Sequence, residues 1–439
     1  MYQFDREAYQ KKVEWFVHDR FGMFIHWGLY AIPARGEWVR SHERTTVEDY
    51  QPYFDEFNPV DYDPKAWAKA AKEAGMKYAV LTAKHHDGFC LFDSKLTDYK
   101  STNTPCKRDL VREYVDAFRA EGLKVGLYYS LLDWHHPDYP HYGDEKHPMR
   151  ENQAFQGKQH NFDNYLKYMH GQIEELCTNY GKIDLFWFDF AYGNMAGETW
   201  RATDLVRMIR KYQPHALIDN RLEAGAEGHG SLVSSNPLEY SGDFVSPEQI
   251  IPPQGIRDAD GNPVVWEACV TMNNHWGYCA NDKFYKPAGM VIKKLVECVS
   301  KGGNLLINVG PDARGNIPPE SLEILDKVGK WMRKNSASIY GCTYTDRPKP
   351  DYGRITANGK KLYYHVCEGV IGPVPLTGIS PDQVEKIRLL STGSELKTLR
   401  NWLTDSFPNH VFAQMGPDPK GVDPVLPDPI DTVIEVTLK

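Results

Sequence analysis

Along residues 1–341, short apolar runs alternate with longer segments in which apolar residues recur at helical spacing. In the segment 64–75 the apolar side chains fall on one face, with Pro64 at the start and Gly75 at the end, which predicts a helix. The run Lys77–Thr82 follows directly and predicts a short buried strand. Alternation of strands with helices of about 10–15 residues is typical of βα units on a parallel sheet.

The same alternation continues through the rest of this region. The predicted helices cover Val111–Phe118, Phe162–Tyr180, Leu205–Tyr212, Val291–Ser300 and Pro319–Asn335. Further predicted strands cover Phe21–His26, Lys124–Ser130, Ile183–Asp189, Ala216–Asn220 and Asn304–Val309. Two less regular strands, Ser241–Glu248 and Val264–Glu267, bring the predicted number of strands to eight.

Seven of the strand segments stop at or beside a side chain suited to sugar chemistry. These side chains are His26, His86, Tyr129, Asp189, Arg221, Glu248 and Glu267. A core strand that ends in this way carries polar atoms that only a cleft could use. In parallel barrels the active site lies at the carboxyl ends of the strands. The pattern therefore favours an α/β fold with a (β/α)8-like barrel over an open, doubly wound sheet.

After Gly341 the pattern changes to short β-rich runs, such as Lys361–Val366 and Val433–Leu438, separated by Pro, Gly and Asp clusters. No helix of ordinary length is expected there, and a small antiparallel β-sandwich is the natural interpretation. We therefore predict a catalytic barrel over residues 1–341 and a β-sandwich over residues 342–439. The Pro-rich segment Met415–Pro429 is expected to be an ordered surface loop.

Composition narrows the classes of function. A net charge of −8 with interspersed signs gives no basic stripe for nucleic acid and no polybasic patch for anionic lipid. The N-terminus has no apolar signal region and no uncharged run of about 18 apolar residues follows, so a cytoplasmic location is expected. The eight cysteines are scattered without a Cys-x-x-Cys pair, which predicts reduced, buried thiols.

Six short motifs carry a resemblance to a known family, in the same order from about Trp15 to Gly341. They are Phe21–Gly28, Gly36–Trp38, Lys84–Phe89, Gly126–Ser130, Trp187–Asp189 and Trp276–Tyr278. These motifs resemble the signatures of the family 29 glycoside hydrolases, the retaining α-L-fucosidases. The resemblance implies an irregular (β/α)8 barrel followed by a β-sandwich. It also implies exo-acting cleavage of terminal α-L-fucose through a covalent fucosyl-enzyme intermediate.

Asp189 is the nucleophile that this resemblance implies. A retaining glycosidase needs one carboxylate to attack the anomeric carbon and a second carboxyl group, about 5–5.5 Å away, to protonate the leaving oxygen. An aspartate after a strand more commonly caps the next helix. Here the aromatic run before Asp189 and the complete set of motifs favour the catalytic role.

The second carboxyl group has two candidates, because the family supplies its acid/base from a variable loop. Glu248 lies in a Pro-containing loop just after the expected sixth strand, and a loop carboxyl can reach across a cleft. Glu267 lies at the next expected strand end, where the alternative is a buried or substrate-adjacent glutamate. We assign Glu248 to acid/base catalysis and Glu267 to substrate binding.

The resemblance also implies a set of sugar-binding residues. Fucose is a 6-deoxy sugar, so its pocket needs hydrogen-bonding groups for three hydroxyls and an apolar patch for the C5 methyl. Family positions that hold the O3/O4 edge match His26, His85, His86 and Glu37. Positions around the nucleophile and ring oxygen match Tyr129 and Arg221, and aromatic walls are expected from Trp38, Trp187 and Trp134.

Three other classes of protein fit the sequence less well. A metallohydrolase could use the histidines, but His85 and His86 would point to opposite sides of an extended strand unless the backbone kinks. A sugar-binding protein without catalysis would lack Asp189 or Glu248. A nucleotide enzyme would need a glycine-rich strand–helix turn, whereas Gly302-Gly303 precedes a strand. We therefore expect a small carbohydrate substrate, no metal and no cofactor, with monomer and homo-oligomer both left open.

Overall fold

The computed structural model of the protein describes residues 2–416 and 425–439. Residues 417–424 of the predicted Met415–Pro429 loop lie outside the described residues. The helices are α1 (Arg6–Asp19), α2 (Val39–His42), α3 (Val47–Glu56), α4 (Pro64–Glu73), α5 (Leu110–Ala120), α6 (Phe162–Asn179), α7 (Ala202–Tyr212), α8 (Ala288–Val299) and α9 (Pro319–Asn335). The predicted helix Pro319–Asn335 is confirmed with the same bounds, and the other predicted helices differ by a few residues at their ends.

Seven parallel strands form one curved sheet in the order β5-β4-β3-β2-β1-β7-β6. They are β1 (Phe21–Ile25), β2 (Tyr78–Lys84), β3 (Lys124–Ser130), β4 (Leu185–Asp189), β5 (Leu217–Ile218), β6 (Glu267–Thr271) and β7 (Asn304–Val309). Helices connect most of these strands, and an aspartate caps the amino-terminal end of several of the helices. Asp63, for example, accepts hydrogen bonds from two backbone amides at the start of α4.

Residues 243–248 complete the ring between β5 and β6. Single parallel bridges join Asp219 to Phe244, Val245 to Trp266, and Glu248 to Cys269. The eighth predicted strand is therefore an extended segment that pairs only at isolated positions, and the barrel is irregular at this point. Closure of the barrel, which the sequence predicted, is confirmed in this form.

Aromatic residues fill the barrel interior, and α1 covers its amino-terminal end. The rings of Phe24 and Trp187 lie 5.2 Å apart across the interior, and those of Tyr128 and Trp187 lie 5.8 Å apart. From α1, Phe16 packs on Phe244 with ring centroids 4.8 Å apart. With the interior packed in this way, the active site is expected at the opposite, carboxyl-terminal end of the strands.

One strand is shifted relative to its predicted position. The sequence predicted a strand from Val264 that ends at Glu267, but β6 begins at Glu267 and continues to Thr271. Glu267 pairs with Asn304, the first residue of β7, so it lies at the amino-terminal side of the sheet. The buried apolar residues of this strand, Ala268 and Cys269, follow Glu267, whereas the prediction placed the apolar part of the strand before it.

The region after α9 forms two small antiparallel sheets. Strands β8 (Gly353–Asn358), β9 (Lys361–Val366), β11 (Val384–Leu389) and β13 (Thr432–Leu438) make a sheet in the order β11-β13-β9-β8, and β10 (Val374–Thr377) pairs with β12 (His410–Ala413). Their apolar faces share one core, which confirms the predicted sandwich. The boundary at residue 341 stays a prediction.

All eight cysteines fall within the described residues and are free, five of them buried. This agrees with the predicted reduced thiols. Among the described helices, none combines the length and apolar character that a membrane span requires.

Candidate active site

A pocket opens at the carboxyl-terminal end of the barrel strands. Its lining consists of Phe24, His26, Trp38, His85, His86, Tyr128, Trp187, Asp189, Phe190, Glu248, Cys269 and Trp276. Most of these residues carry aromatic or histidine rings, and two are carboxylates. The pocket therefore combines apolar surfaces with a small number of converging polar groups, as small-ligand sites do.

Asp189 is the last residue of β4, and its carboxylate is held from three sides. The Tyr128 hydroxyl donates to Oδ2 at 2.8 Å and the Arg221 guanidinium donates to Oδ1 at 3.1 Å. The Nε2 atom of His86 lies 3.8 Å from Oδ2. Burial raises the pKa of Asp189, Arg221 lowers it and the charge of Glu248 raises it, and the net result is a pKa of about 7.

Arg221 also holds Glu248. Its Nη2 donates to Oε2 of Glu248 at 3.1 Å, while Nε and Nη2 donate to the side chain and backbone oxygens of Ser246 at 2.8 and 2.9 Å. The guanidinium carbon also lies 4.8 Å from the Trp187 ring centroid. Although burial opposes the charge, Asp189 and Glu248 raise the pKa of Arg221. One cation therefore fixes both predicted catalytic carboxylates.

The two carboxylates differ in their access to solvent. The Glu248 side chain is 28% exposed and the Asp189 side chain 12% exposed. Glu248 thus lies at the mouth of the pocket and Asp189 deeper inside. This is the arrangement that a leaving group on the solvent side would require.

Three histidines form one wall of the pocket. His26 is paired with Asn308 at 2.7 Å and His86 with Ser130 at 2.7 Å, each through Nδ1. Burial lowers the pKa of His26 to about 3 and the pKa values of His85 and His86 well below the usual range. At neutral pH these rings are neutral, so they can donate and accept hydrogen bonds to sugar hydroxyls.

His85 and His86 are adjacent and nevertheless face the same pocket, with ring centroids 4.1 Å apart. The backbone kink that the sequence left open is present here, because β2 ends at Lys84 and the chain turns immediately afterwards, so the two rings do not point to opposite sides. Within residues 2–416 and 425–439, no group of three or more His, Cys, Asp or Glu side chains is arranged to hold a metal ion.

Arg221, Trp134 and Glu37, all predicted to bind substrate, lie behind the pocket lining. Trp134 packs on the pocket residues Trp38 and His86, with ring centroids 5.2 and 5.3 Å away. Glu37 is buried and accepts a hydrogen bond from the Gly277 amide at 2.8 Å, next to the pocket residue Trp276. Neither Trp134 nor Glu37 is among the pocket-lining residues, so in this structure both support the residues that are.

The lining also includes residues that the sequence did not single out. Phe24 belongs to the first motif and Trp276 to the last, but neither was assigned a role from the sequence. Phe190 follows Asp189 with φ of 90°, a backbone conformation that bulky side chains rarely adopt. Only the position of Phe190, directly after the candidate nucleophile, could have drawn attention to it in the sequence.

The predicted tyrosine is the wrong one of two neighbours. Successive side chains on β3 point to opposite faces, so Tyr128 enters the pocket and Tyr129 points away from it. The Tyr129 hydroxyl donates to Gln172 on α6 at 2.7 Å, whereas the Tyr128 hydroxyl donates to Asp189. The assignment of Tyr129 to substrate binding is therefore corrected to Tyr128.

We expect Tyr128→Phe to lower kcat by about 10- to 100-fold, the size of a lost hydrogen bond to a charged group. Because the Tyr128 hydroxyl lowers the pKa of Asp189, its loss should also move the acidic limb of the kcat/KM profile to higher pH. Tyr129→Phe is the matched control and should leave both quantities unchanged. An equal loss of kcat in the two variants would contradict this interpretation.

Glu267 is the second correction. Its carboxyl group is buried at the amino-terminal side of the barrel and accepts a hydrogen bond from the Tyr78 hydroxyl. Burial raises the pKa of Glu267 to about 8, although the Tyr78 hydroxyl and the Trp187 indole lower it. Glu267 does not line the pocket, which removes it from the residues able to contact substrate or act as the acid.

A buried carboxyl with a raised pKa makes stability depend on pH. Between the unfolded pKa of about 4.3 and the folded pKa of about 8, the folded state holds the proton more tightly, so the free energy of unfolding falls as pH rises. Glu267→Gln cannot titrate and should lack this contribution, which amounts to about 5 kcal/mol at most. Denaturant unfolding of both proteins at about pH 5, 7 and 8.5 measures it. A constant difference between them over this range would show that Glu267 does not titrate as described.

The barrel and its pocket with paired carboxylates define a barrel glycoside hydrolase. A family model described as alpha-L-fucosidase matches residues 1–337. Alpha-L-fucosidase isoenzyme 1 from Paenibacillus thiaminolyticus is 58% identical, with 98% of this chain and 100% of that chain covered and a TM-score of 0.94. Tissue alpha-L-fucosidase of Mus musculus is 30% identical over 349 residues, covering 74% of this chain and 71% of that protein.

A Bacteroides thetaiotaomicron GH29 alpha-L-fucosidase is 29% identical, with a TM-score of 0.80 over 100% of this chain and 98% of that chain. That structure is a trapped covalent intermediate in complex with 2-fluoro-fucosyl fluoride, obtained with a glutamate-to-glutamine mutant. The present chain belongs to the α-L-fucosidase family of glycoside hydrolases.

Proposed function

We propose that the protein is an exo-acting, retaining α-L-fucosidase that removes terminal α-L-fucose from fucosylated oligosaccharides or glycoconjugates. The observation that carries this proposal is the pair of carboxylates joined by one guanidinium, with Nη1 of Arg221 on Asp189 and Nη2 on Glu248. Carboxylates that converge on one side chain suit a retaining enzyme, in which they lie about 5–5.5 Å apart, better than an inverting one, in which they lie about 6.5–9.5 Å apart.

In the first step Asp189 attacks the anomeric carbon while Glu248 protonates the departing glycosidic oxygen. The attack forms a bond between the Asp189 carboxylate and C1, and the bond from C1 to the leaving oxygen breaks. Arg221 and the Tyr128 hydroxyl hydrogen-bond to the Asp189 carboxylate, which favours its charged form and orients it. The greater exposure of the Glu248 side chain supports a role for Glu248 beside the leaving group.

In the second step Glu248, now a carboxylate, takes a proton from a water molecule that attacks C1 from the vacated side. The bond between C1 and Asp189 breaks, and the fucose leaves with the anomeric configuration it had in the substrate. Two displacements at the same carbon account for retention.

The sugar itself is recognised by the inner part of the pocket. The neutral rings of His26, His85 and His86 supply hydrogen-bonding groups for hydroxyls, and Phe24 and Trp276 supply an apolar surface beside them. The C5 methyl of a 6-deoxy sugar fits such a surface, whereas the hydroxymethyl group of a hexose would lose hydrogen bonds to water there.

The closed end of the pocket supports exo action. Phe24, Tyr128 and Trp187 belong to the packed cluster inside the barrel, so the chain of a longer glycan cannot pass beyond the terminal sugar. Only a residue at the end of a glycan, or the sugar of a simple glycoside, can reach Asp189.

The test is a hydrolysis panel with NMR detection of the sugar first released. We expect release of fucose from 4-nitrophenyl α-L-fucoside and from at least one α1,2-, α1,3-, α1,4- or α1,6-fucosylated oligosaccharide, with the α anomer appearing first. EDTA should leave the rate unchanged, because both proposed catalytic groups are carboxyls. Initial release of the β anomer would refute retention, and binding of fucose without turnover would refute the enzymatic function.

A further inference from the structure

A buried ion pair lies directly behind the pocket wall. Lys84, the last residue of β2, donates from Nζ to Oδ2 of Asp133 at 2.8 Å, and the two side chains are 0% and 1% exposed. The ammonium also lies 4.5 Å from the Tyr129 ring centroid and 5.7 Å from those of Tyr165 and Tyr168. Neither Lys84 nor Asp133 lines the pocket.

A buried ion pair does not by itself indicate a gain in stability. Taking two charges out of water offsets most of their attraction, and apolar residues of similar volume often replace a buried pair without loss of stability. Removal of one partner is different, because it leaves an uncompensated buried charge. The contacts of Lys84 and Asp133 with neighbouring loops indicate what this pair holds in place.

Asp133 fixes the loop that follows β3. Its second oxygen, Oδ1, accepts hydrogen bonds from the backbone amides of His135 at 2.9 Å and His136 at 2.8 Å. An added Cβ at Gly88, in the turn after the histidines, would lie 2.4 Å from the same oxygen. The carboxylate thus sits between the loop after β2 and the loop after β3.

The loop held by Asp133 contains Trp134, which packs against the pocket wall. The Trp134 amide donates to the His86 carbonyl oxygen at 2.8 Å, and the Trp134 ring packs on both His86 and Trp38. His86 in turn lies 3.8 Å from the Asp189 carboxylate. A continuous set of contacts thus connects Lys84 to the proposed nucleophile through Asp133, Trp134 and His86.

We propose that Lys84 and Asp133 are positioning residues, which lock the loop 133–136 so that Trp134 holds His86 and Trp38 against the sugar site. This proposal rests on the function proposed above, because it assigns the pair a role in the same reaction. It requires no contact between the pair and the substrate. A site whose groups must be held to a fraction of an ångström depends on residues of this kind behind it.

The test compares Lys84→Met, Asp133→Asn and the double variant K84M/D133N with the wild type. Each single variant should lower kcat/KM for 4-nitrophenyl α-L-fucoside by about 100-fold, with KM raised as well as kcat lowered, because both His86 and the Trp38 wall move. The inhibition constant of a fucose-like iminocyclitol should rise in parallel. The double variant should recover at least about tenfold relative to K84M, because no charge is left unpaired and the side-chain carbonyl introduced by D133N can still accept from both amides.

Asp431→Asn is the matched control. Asp431 forms an equally buried pair with His365 at 2.7 Å, beside the carboxyl-terminal sheet and away from the pocket. The control should lower Tm but leave kcat/KM at room temperature unchanged. If K84M likewise changes Tm and leaves kcat/KM and the inhibition constant unchanged, the positioning role is overturned.

A further variant keeps the test decisive if K84M does not fold. Trp134→Phe leaves the ion pair intact and removes only part of the indole that packs on His86 and Trp38, so it should fold normally and raise KM and the inhibition constant by about tenfold. Unchanged values would overturn the proposal.

If the wild type itself fails to hydrolyse the fucoside, the proposed function falls together with the role of the pair. If the wild type is active and the variants match it, only the role of the pair falls.

Discussion

Replacing Asp189 with glycine should lower kcat for fucoside hydrolysis by about 10⁴-fold or more, equivalent to about 5.5 kcal/mol of barrier. Among the described residues, no other carboxylate lines the inner part of the pocket, so nothing can substitute for the missing nucleophile. The fold should persist, because Asp189 is the last residue of β4 and its removal leaves Arg221 paired with Glu248. Steady-state kinetics together with iminocyclitol binding measure the two effects separately.

Azide makes this prediction sharper. In Asp189→Gly it can occupy the space of the missing carboxylate and attack C1 in a single displacement, which should yield the β-fucosyl azide. Asp184→Asn is the matched control, since Asp184 precedes the same strand at its opposite end and accepts a hydrogen bond from the Val125 amide at 3.0 Å. Activity of Asp189→Gly within about tenfold of the wild type, without azide, would contradict the assignment.

Replacing Glu248 with alanine should separate substrates by their leaving groups. In natural oligosaccharides the leaving group is a sugar alkoxide, which is strongly basic and a poor leaving group. Hydrolysis of these substrates should slow by about 10³-fold, within the range of general acid catalysis. The aryl group of an activated aryl fucoside departs without protonation, so the first step with this substrate should be slowed about tenfold or less. Pre-steady-state kinetics on both substrates measure this difference.

The second step in Glu248→Ala lacks its base, and azide should replace the water molecule that is no longer activated. The product should be the α-fucosyl azide, because two displacements have then occurred, whereas Asp189→Gly should yield the β anomer. Glu267→Ala is the matched control, and any loss of rate in this variant should be the same for natural oligosaccharides and aryl fucosides. Selective loss of natural substrates in Glu267→Ala but not in Glu248→Ala would reverse the two assignments.

Much of the fold could be predicted because local patterns and tertiary packing agree. The helix Pro319–Asn335 starts at a proline and has a continuous apolar face, and its bounds were predicted without error. The strand before Asp189 is buried along its whole length, so its apolar run identified both the strand and its polar end. In such segments the sequence contains the information needed to locate the strand and the proposed nucleophile at its end.

The errors arise where the pattern is ambiguous. Two adjacent tyrosines on β3 fit the same motif, and only the face that each one occupies distinguishes Tyr128 from Tyr129. The segment Val264–Thr271 is apolar on both sides of Glu267, so the period of the strand could not show at which end the glutamate lies. Contacts between distant loops, such as Glu37 with Gly277, have no local signal in the sequence.

Covalent trapping tests the central claim most directly. The wild type would be treated with 2-deoxy-2-fluoro-fucosyl fluoride, digested, and analysed by mass spectrometry for the peptide that carries the fluorofucosyl group. The 2-fluoro group slows the second step, so the intermediate should accumulate, and the label should fall on Asp189 within the peptide Ile183–Tyr192. A label on any other residue, or inactivation without a covalent adduct, would contradict the proposal that Asp189 is the nucleophile of a retaining α-L-fucosidase.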